Sequence, residues 1–492
     1  MKIQSWLLAS LLASLCVAAS AQEKPAAPAA TSPEDALAQK AEALTETQIK
    51  QSHDIPGLTR LAQLYNSRND MPRFTWALQR VSELMPNSGD LKLQLAMAYA
   101  KQDDKTRAYD ILVRMQTQGF GYDIAKDPRF DPIHGTKVWD YIVANLQVNA
   151  KQFGEGRVAF ELPKGDSLFE SLAWDAKRGQ LLVGSVREGK VYLADDAGKL
   201  TDFIAANADN GLWGVDALGV DAAHGKLYIA STASPQFKGF NADNAGKCGI
   251  FEFDLASGKF LRKYTFAQGS GPHALSSLAV GSDGQVYAAD GARKQIFKLD
   301  DGKLKLIIEN PRLTGISGLA LSGDGKTLYL ADFAQGIFGF DLSKSAAFEL
   351  AHDPAKLVLG GIDGLNWYAG TLAVVEGGMV PKRVMRLKLS ADGRSIASAM
   401  PLDVAQPAFA ALGQATLAGD KLYFVANRQR GLYDSNGVLT DTDKLEPLRV
   451  FRSNLRFAWG QDGVSSGLAP LGVGNAGPAA KAVKPAHDGI KH

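Results

Sequence analysis

Six residues in the second part of the chain, Glu170, Asp216, Ser276, Ser317, Asp363 and Gly413, each open one of six similar phrases. If all six face one axis, three carboxylates and two hydroxyls converge on a single point. Like charges in a confined site raise one another's pKa, so the set calls for a neutralising partner. A hard cation is the natural one. Calcium takes about six to eight oxygen ligands, and Glu170, Asp216 and Asp363 could supply carboxylates to it, with Ser276 and Ser317 as ligand-binding hydroxyls. The alternative role for Asp and Ser at such positions is hydrogen bonding to backbone amides. His273, in GSGPHALSS, and Trp213, in GLWGVD, each stand three residues before one of these heads. That spacing reads His273 as a catalytic base and Trp213 as a stacking surface for a ligand. The alternative for both is filling a junction between repeats.

The elements that must position these residues are short strands. The phrases ESLAWDAKRGQLLVGS, DALGVDAAHGKLYIAS, SSLAVGSDGQVYAAD, SGLALSGDGKTLYLAD, DGLNWYAGTLAVVE and GQATLAGDKLYFVAN each pair an apolar run with a second one across a polar, Gly-containing turn. A third apolar run such as KVYLADD, GIFEFDL, QIFKLDD, GIFGFDL or RVMRLKL follows most of them. The heads lie 46, 60, 41, 46 and 50 residues apart, a blade-like period. Six meanders that cannot bury both faces alone pack radially into a six-bladed β-propeller, whose inner strands line the axis. GRVAFEL (Gly156 to Leu162) precedes the first phrase and is predicted to close the ring beside LEPLRVF (Leu445 to Phe451).

Phe169-Glu170-Ser171-Leu172-Ala173-Trp174-Asp175 resembles the opening of the senescence-marker-protein, gluconolactonase and regucalcin family, in which a Glu shortly before a Trp ligates a divalent metal. Asp363-Gly364-Leu365 resembles that family's Asp-Gly motif, whose Asp ligates the metal and assists proton transfer. The resemblance spans roughly Gly156 to Arg452. It implies a metal-dependent lactonase or esterase in which the metal polarises a carbonyl and activates water. The family places Asn where this chain has Ser276 and Ser317.

Before the strands, the spacing is helical from Leu58 to about Leu146. Tyr65 and Tyr99, Leu78 and Leu112, and Val81 and Met115 are each 34 residues apart, a period that resembles tetratricopeptide repeats. Ala108 fits that repeat's small position, Phe74 does not, and the usual Trp and Gly are missing. A stretch from Asp127 through Ile142 is predicted to cap the array. Earlier still, Lys2, an apolar run from Trp6 to Ala19 and Ala19-Ser20-Ala21 read as a cleaved signal peptide. The expected organisation is a signal peptide at 1–21, a linker at 22–33, and a helix start at Ser32-Pro33-Glu34-Asp35. A helical-repeat domain at 34–150 follows, then the propeller at 151–461, separable from it, and a disordered tail at 462–492.

Composition narrows the function classes. Lys plus Arg number 54 against 52 Asp plus Glu, and no basic stripe appears, which argues against nucleic acid. No segment after the leader reads as an integral membrane span. Cleavage would leave Cys248 alone, excluding an internal disulfide. GVGNAG, from Gly472 to Gly477, fits a dinucleotide fingerprint only by its letters. The expectation is therefore a periplasmic or secreted protein. Its helical repeats bind a protein or peptide, and its propeller binds a small molecule at the channel, with calcium or another divalent cation as a possible cofactor. The alternative is a calcium-dependent lactonase or esterase.

Overall fold

A computed structural model describes residues 43–266 and 271–457. The expected signal peptide, linker, Ser32 helix start, tail and GVGNAG stretch lie outside them. The chain divides into two units, Met1–Gln51 and Ser52–His492. The described part of the first holds a short helix, Glu46–Gln51.

The second unit begins with helices Ile55–Ser67, Met71–Leu84, Gly89–Lys101 and Lys105–Thr117. Their starts repeat the 34-residue step (89 − 55 and 105 − 71), so the period in the sequence is a period in space. The capping chemistry repeats as well. Asp54, Asp70, Ser88 and Asp104 each accept a hydrogen bond from a backbone N–H three residues on, which satisfies a donor that the first helical turn leaves open. Tyr65, Leu78, Val81, Tyr99, Leu112 and Met115 are all buried. After the second hairpin the regular step ends. A 3-10 turn, Pro128–Ile133, and a helix, Lys137–Asn149, follow and pack Phe130, Trp139 and Ile142 into the same core.

Six four-stranded antiparallel sheets follow. Blades 1 to 5 run in simple order, from inner strands Phe169–Asp175, Gly214–Asp221, Leu275–Val280, Ile316–Leu321 and Ile362–Tyr368. Blade 6 takes Ala415–Ala418, Lys421–Val425 and Leu448–Asn454 from the end of the chain and Arg157–Leu162 from the start. The closing strand is thus the one read from the sequence, with its partner running three residues further on than expected. Each inner strand packs on the next, and that of blade 6 on that of blade 1. The fourth strands were not legible. Phe260–Thr265 and Lys303–Glu309 are mostly exposed along their length, so they carry little apolar alternation.

A polar side chain buried at the end of a blade's second strand ties the loops at that end of the ring. Asp332, with no exposed surface, accepts from the N–H groups of Thr314, Gly315, Ala334 and Gln335 at 2.7–3.0 Å and from the Thr314 hydroxyl at 2.5 Å.

The helices are not a separable module. Val358 and Met379 of the propeller belong to the helical core. Buried Arg383 of blade 5 pairs with Glu376 and donates to Gln118 O and Val358 O, both at 3.2 Å. Gln335 Nε2 donates to Leu84 O at 2.7 Å, and Gln118 Nε2 to Pro354 O at 2.7 Å. These propeller residues sit where second strands finish and inner strands begin, on blades 4 and 5. The helices therefore cover the end of the ring at which the channel heads lie.

Two outcomes follow from this packing. Asp332→Ala should cost about 3 kcal/mol or more, because it strands several buried donors, and thermal melting reads this as a Tm lower by several degrees. Deleting 52–150 should yield a propeller that melts lower still or is insoluble, since it bares Val358 and Met379 and leaves Arg383 short of a partner. A deletion protein with unchanged Tm would contradict the shared core.

Candidate functional site

The channel heads occupy a special backbone position. In blades 1 to 5 the pairing of inner and second strands slips by one residue, and the residues skipped are Glu170, Asp216, Ser276, Ser317 and Asp363. A β-bulge leaves its extra residue unpaired and re-aims its side chain. Five bulges thus direct five side chains to one place, and all five line a cavity of about 310 Å³. In blade 6 the expected head is Gly413, but the lining residue is Gln414, one position on. Its amide donates to Ser276 O.

The neutralising partner is protein. Arg428 Nη2 lies 2.6 Å and its Nε 3.1 Å from Glu170 Oε2, and its Nη1 is 3.7 Å from Asp363 Oδ1. Arg430 stands 3.4 Å from Glu170 Oε2 and 3.4 Å from Asp216 Oδ1. Two guanidiniums therefore bridge carboxylates from blades 5, 1 and 2. Both come from one long connection, residues 426–447, between the second and third strands of blade 6. This strap crosses blade 1, where the Tyr433 hydroxyl donates to Asp166 at 2.6 Å. It reaches blade 2, where Gln236 Nε2 donates to Asp434 O at 3.3 Å. Arg187 clamps it by donating to Gly437 O at 3.0 Å and to Gln236 O at 2.9 Å.

These contacts set the protonation states. Burial alone would raise Glu170, but Arg428 and Arg430 more than offset it and hold the carboxyl below its ordinary value. For Asp216 burial wins over Arg430 and pushes the pKa up to about 6. Burial likewise lifts Asp363 to about 6, against Arg428 and the Gly377 N–H, which donates to Asp363 Oδ2 at 3.1 Å. A Cβ at position 377 would stand 2.2 Å from that oxygen, so any larger residue there would push the Asp363 carboxyl aside.

The expected metal set of Glu170, Asp216 and Asp363 does not fit a divalent cation as these residues are arranged. The guanidiniums engage Glu170 Oε2, Asp216 Oδ1 and Asp363 Oδ1 and set two positive charges beside the oxygens left open, and among the described residues no three His, Cys, Asp or Glu side chains are placed to hold a cation. The two serines line the cavity, and their hydroxyls also reach backbone carbonyls. Ser276 Oγ donates to Ala289 O or Ile316 O at 3.4 and 3.3 Å, and Ser317 Oγ to Ala331 O at 3.3 Å.

His273 and Trp213 are not among the residues that line the cavity. The His273 ring is stacked on Phe266 with centroids 3.7 Å apart, and its Nδ1 is 2.9 Å from buried Asp290 Oδ2. Burial lowers its pKa. It fills a blade junction, so its expected role as a base at the channel is not what the structure shows. Trp213, half-buried, packs edge-on against Phe251 at 5.4 Å on the core of blades 1 and 2, away from the cavity lining. Arg428, Arg430 and Gln414 were missed. The available signal was the length of the blade 6 connection and its polar opening, Asn427-Arg428-Gln429-Arg430.

No protein-family model matches the chain, and no curated protein matches it. Solved structures similar to it include a gluconolactonase from Xanthomonas campestris (17% identity, 63% of this chain and 92% of that one, TM-score 0.41). An aldose sugar dehydrogenase from Streptomyces coelicolor, in its PQQ-bound form, is similar at 17% identity over 62% of this chain and 98% of that one, with TM-score 0.41. Virginiamycin B lyase from Staphylococcus aureus matches at 15% identity over 62% and 100%, with TM-score 0.39. The strand order described above establishes the six-bladed propeller by itself.

Proposed function

We propose that this is an exported protein whose propeller binds a small polar ligand at the channel mouth, with Arg428 and Arg430 fixing the charge there in place of a metal ion. One observation carries the reading. A cavity of about 310 Å³ is lined by Glu170, which is 5% exposed and whose Oε1 has no hydrogen-bond partner. A buried acceptor left open costs about 1–3 kcal/mol, and a ligand donor would recover it. Export rests on Lys2, the apolar run to Ala19 and Ala19-Ser20-Ala21. Protein or peptide binding by the helical segment is supported by Val113, Val138 and Tyr141, which stand exposed on its last two helices.

Ester or lactone hydrolysis is the second reading. Asp363, lifted to about 6 beside Arg428, is placed as a base that is mostly ionised at neutral pH, next to a group able to stabilise developing negative charge.

A thermal-shift screen of small polar compounds tests the pocket. Compounds that raise Tm in the wild type and not in Glu170→Gln support it, and a screen without such compounds removes it. Calcium, manganese and zinc should leave the wild-type Tm unchanged; a calcium-dependent rise lost in Glu170→Ala and Asp363→Ala would restore the metal. Hydrolysis predicts turnover of a lactone or aryl ester that falls at least about 100-fold in Asp363→Asn, and no turnover across such a panel ends that reading.

The raised carboxyls give a pH signature. Asp216, Asp363 and Asp403 have folded-state values of about 6, above their unfolded value, so burying their charge costs stability above pH 6. That cost is relieved as the pH falls through 6 toward the ordinary 3.8. Glu170, held low, works oppositely and loses stability only below its ordinary 4.5, while His273, lowered by burial, offsets part of the gain below its ordinary 6.5, one group against three. The Tm should therefore rise from pH 7.5 to about 5, and Asp216→Asn with Asp363→Asn should flatten most of that rise. A Tm that falls over this interval would refute the assignment.

A further inference from the structure

If the mouth is the ligand pocket proposed above, its own atoms specify what it accepts. Glu170 Oε1 is buried without a hydrogen-bond partner, and buried Asp216 Oδ2 has no well-formed one, the Thr232 hydroxyl beside the carboxyl being its nearest donor; all three residues line the cavity. An ionised carboxylate oxygen only accepts hydrogen bonds. The missing partner is therefore a donor. An anionic ligand would find the Glu170-facing edges of both guanidiniums already engaged and two open acceptors repelling it.

Arg430 already shows what a donor at this point looks like. Its guanidinium lies between Glu170 and Asp216 at 3.4 Å from each, and its side chain is 39% exposed. Arg428 holds Glu170 much more closely, at 2.6 and 3.1 Å, and also faces Asp363. Of the two cations, Arg430 is the loosely held one. The other charged groups acting on this set are Lys382, toward Asp363, and Glu170 itself, toward both aspartates. With Glu170, Asp216 and Asp363 ionised against two guanidiniums, the group carries one net negative charge. Withdrawing Arg430 makes it two.

We infer that the pocket takes a small organic cation, an ammonium or guanidinium group that bonds to Glu170 and Asp216, and that Arg430 holds this place until the ligand displaces it. Arg430 sits in the short turn Arg430–Leu432 of the strap, with solvent on one side, so its side chain can withdraw while Arg428 keeps Glu170 paired. A neutral polyol would bring donors but no charge, and it would have to enter beside Arg430 instead of replacing it.

The test uses three four-carbon probes that differ in their end groups: putrescine (ammonium), 1,4-butanediol (hydroxyl) and succinate (carboxylate). Each is titrated calorimetrically into the full chain as wild type and as Arg430→Ala, with Tm measured in parallel to confirm folding. Putrescine should bind the wild type in preference to the other two. Arg430→Ala should bind it about tenfold more tightly, the size of a single nearby charge in a partly desolvated site. Asp216→Asn, which leaves the Arg428 pairing of Glu170 in place and whose Tm is measured alongside, should weaken it. Butanediol or succinate binding as tightly as putrescine, or weaker putrescine binding by Arg430→Ala, overturns the inference and leaves the pocket standing. No binding of putrescine to either protein also overturns it, while the pocket then stands or falls on the screen with Glu170→Gln.

Discussion

A carboxylate taken out of water needs its charge met where it lies, and at Glu170 Arg428 meets it. Removing one partner of such a pair leaves an uncompensated charge and typically costs about 3–5 kcal/mol. The pair also joins distant parts of the ring, since Glu170 opens blade 1 and Arg428 belongs to the strap of blade 6. Blade 6 is itself assembled from both ends of the propeller segment. Ring closure and charge compensation in the channel therefore depend on the same blade. Through Arg428 and Arg430 the strap contacts the heads of blades 5, 1 and 2.

The bulges explain why polar heads are tolerated at the axis. A regular inner strand would alternate its side chains between the two neighbouring blades, and a carboxylate at the first position would be driven into apolar packing. The one-residue slip at Glu170, Asp216, Ser276, Ser317 and Asp363 turns that residue out of the alternation. Leu172, Ala217 and Leu319 behind it remain buried. The site's acids thereby sit on the inner strands, while the compensating arginines sit on the longest connection between strands among the described residues. That division places fixed acceptors opposite adjustable donors.

The helical segment enters the same arrangement from the other side. It covers blades 4 and 5 at the end of the ring where the strap covers blades 6, 1 and 2, so the mouth lies between two coverings. Buried Arg383, bonded to Glu376, Gln118 O and Val358 O, makes the helices part of the propeller's own stability. The 34-residue hairpins thus form one wall of the site's surroundings and share a core with it.

Repetition is what the sequence determined. Six phrases with apolar runs at strand spacing, a strand left over before the first, and a 34-residue helical period are local patterns. Burial of one face by the neighbouring repeat turns them into a propeller and helical hairpins almost without alternatives. The heads Glu170, Asp216, Ser276, Ser317 and Asp363 were legible for the same reason, because repetition aligned them. What met their charge was not legible. Arg428 lies 258 residues from Glu170 and Arg430 214 from Asp216, on a connection longer than the corresponding one in any other blade, and only ring closure brings them there. His273 and Trp213 show the converse: sequence proximity to a head put them near the axis on paper, while stacking on Phe266 and packing on Phe251 drew them into blade junctions. Local order carries the fold and the positions of the acceptors; which cation faces them is settled by contacts between residues far apart in the chain, and those exist only once the ring is closed.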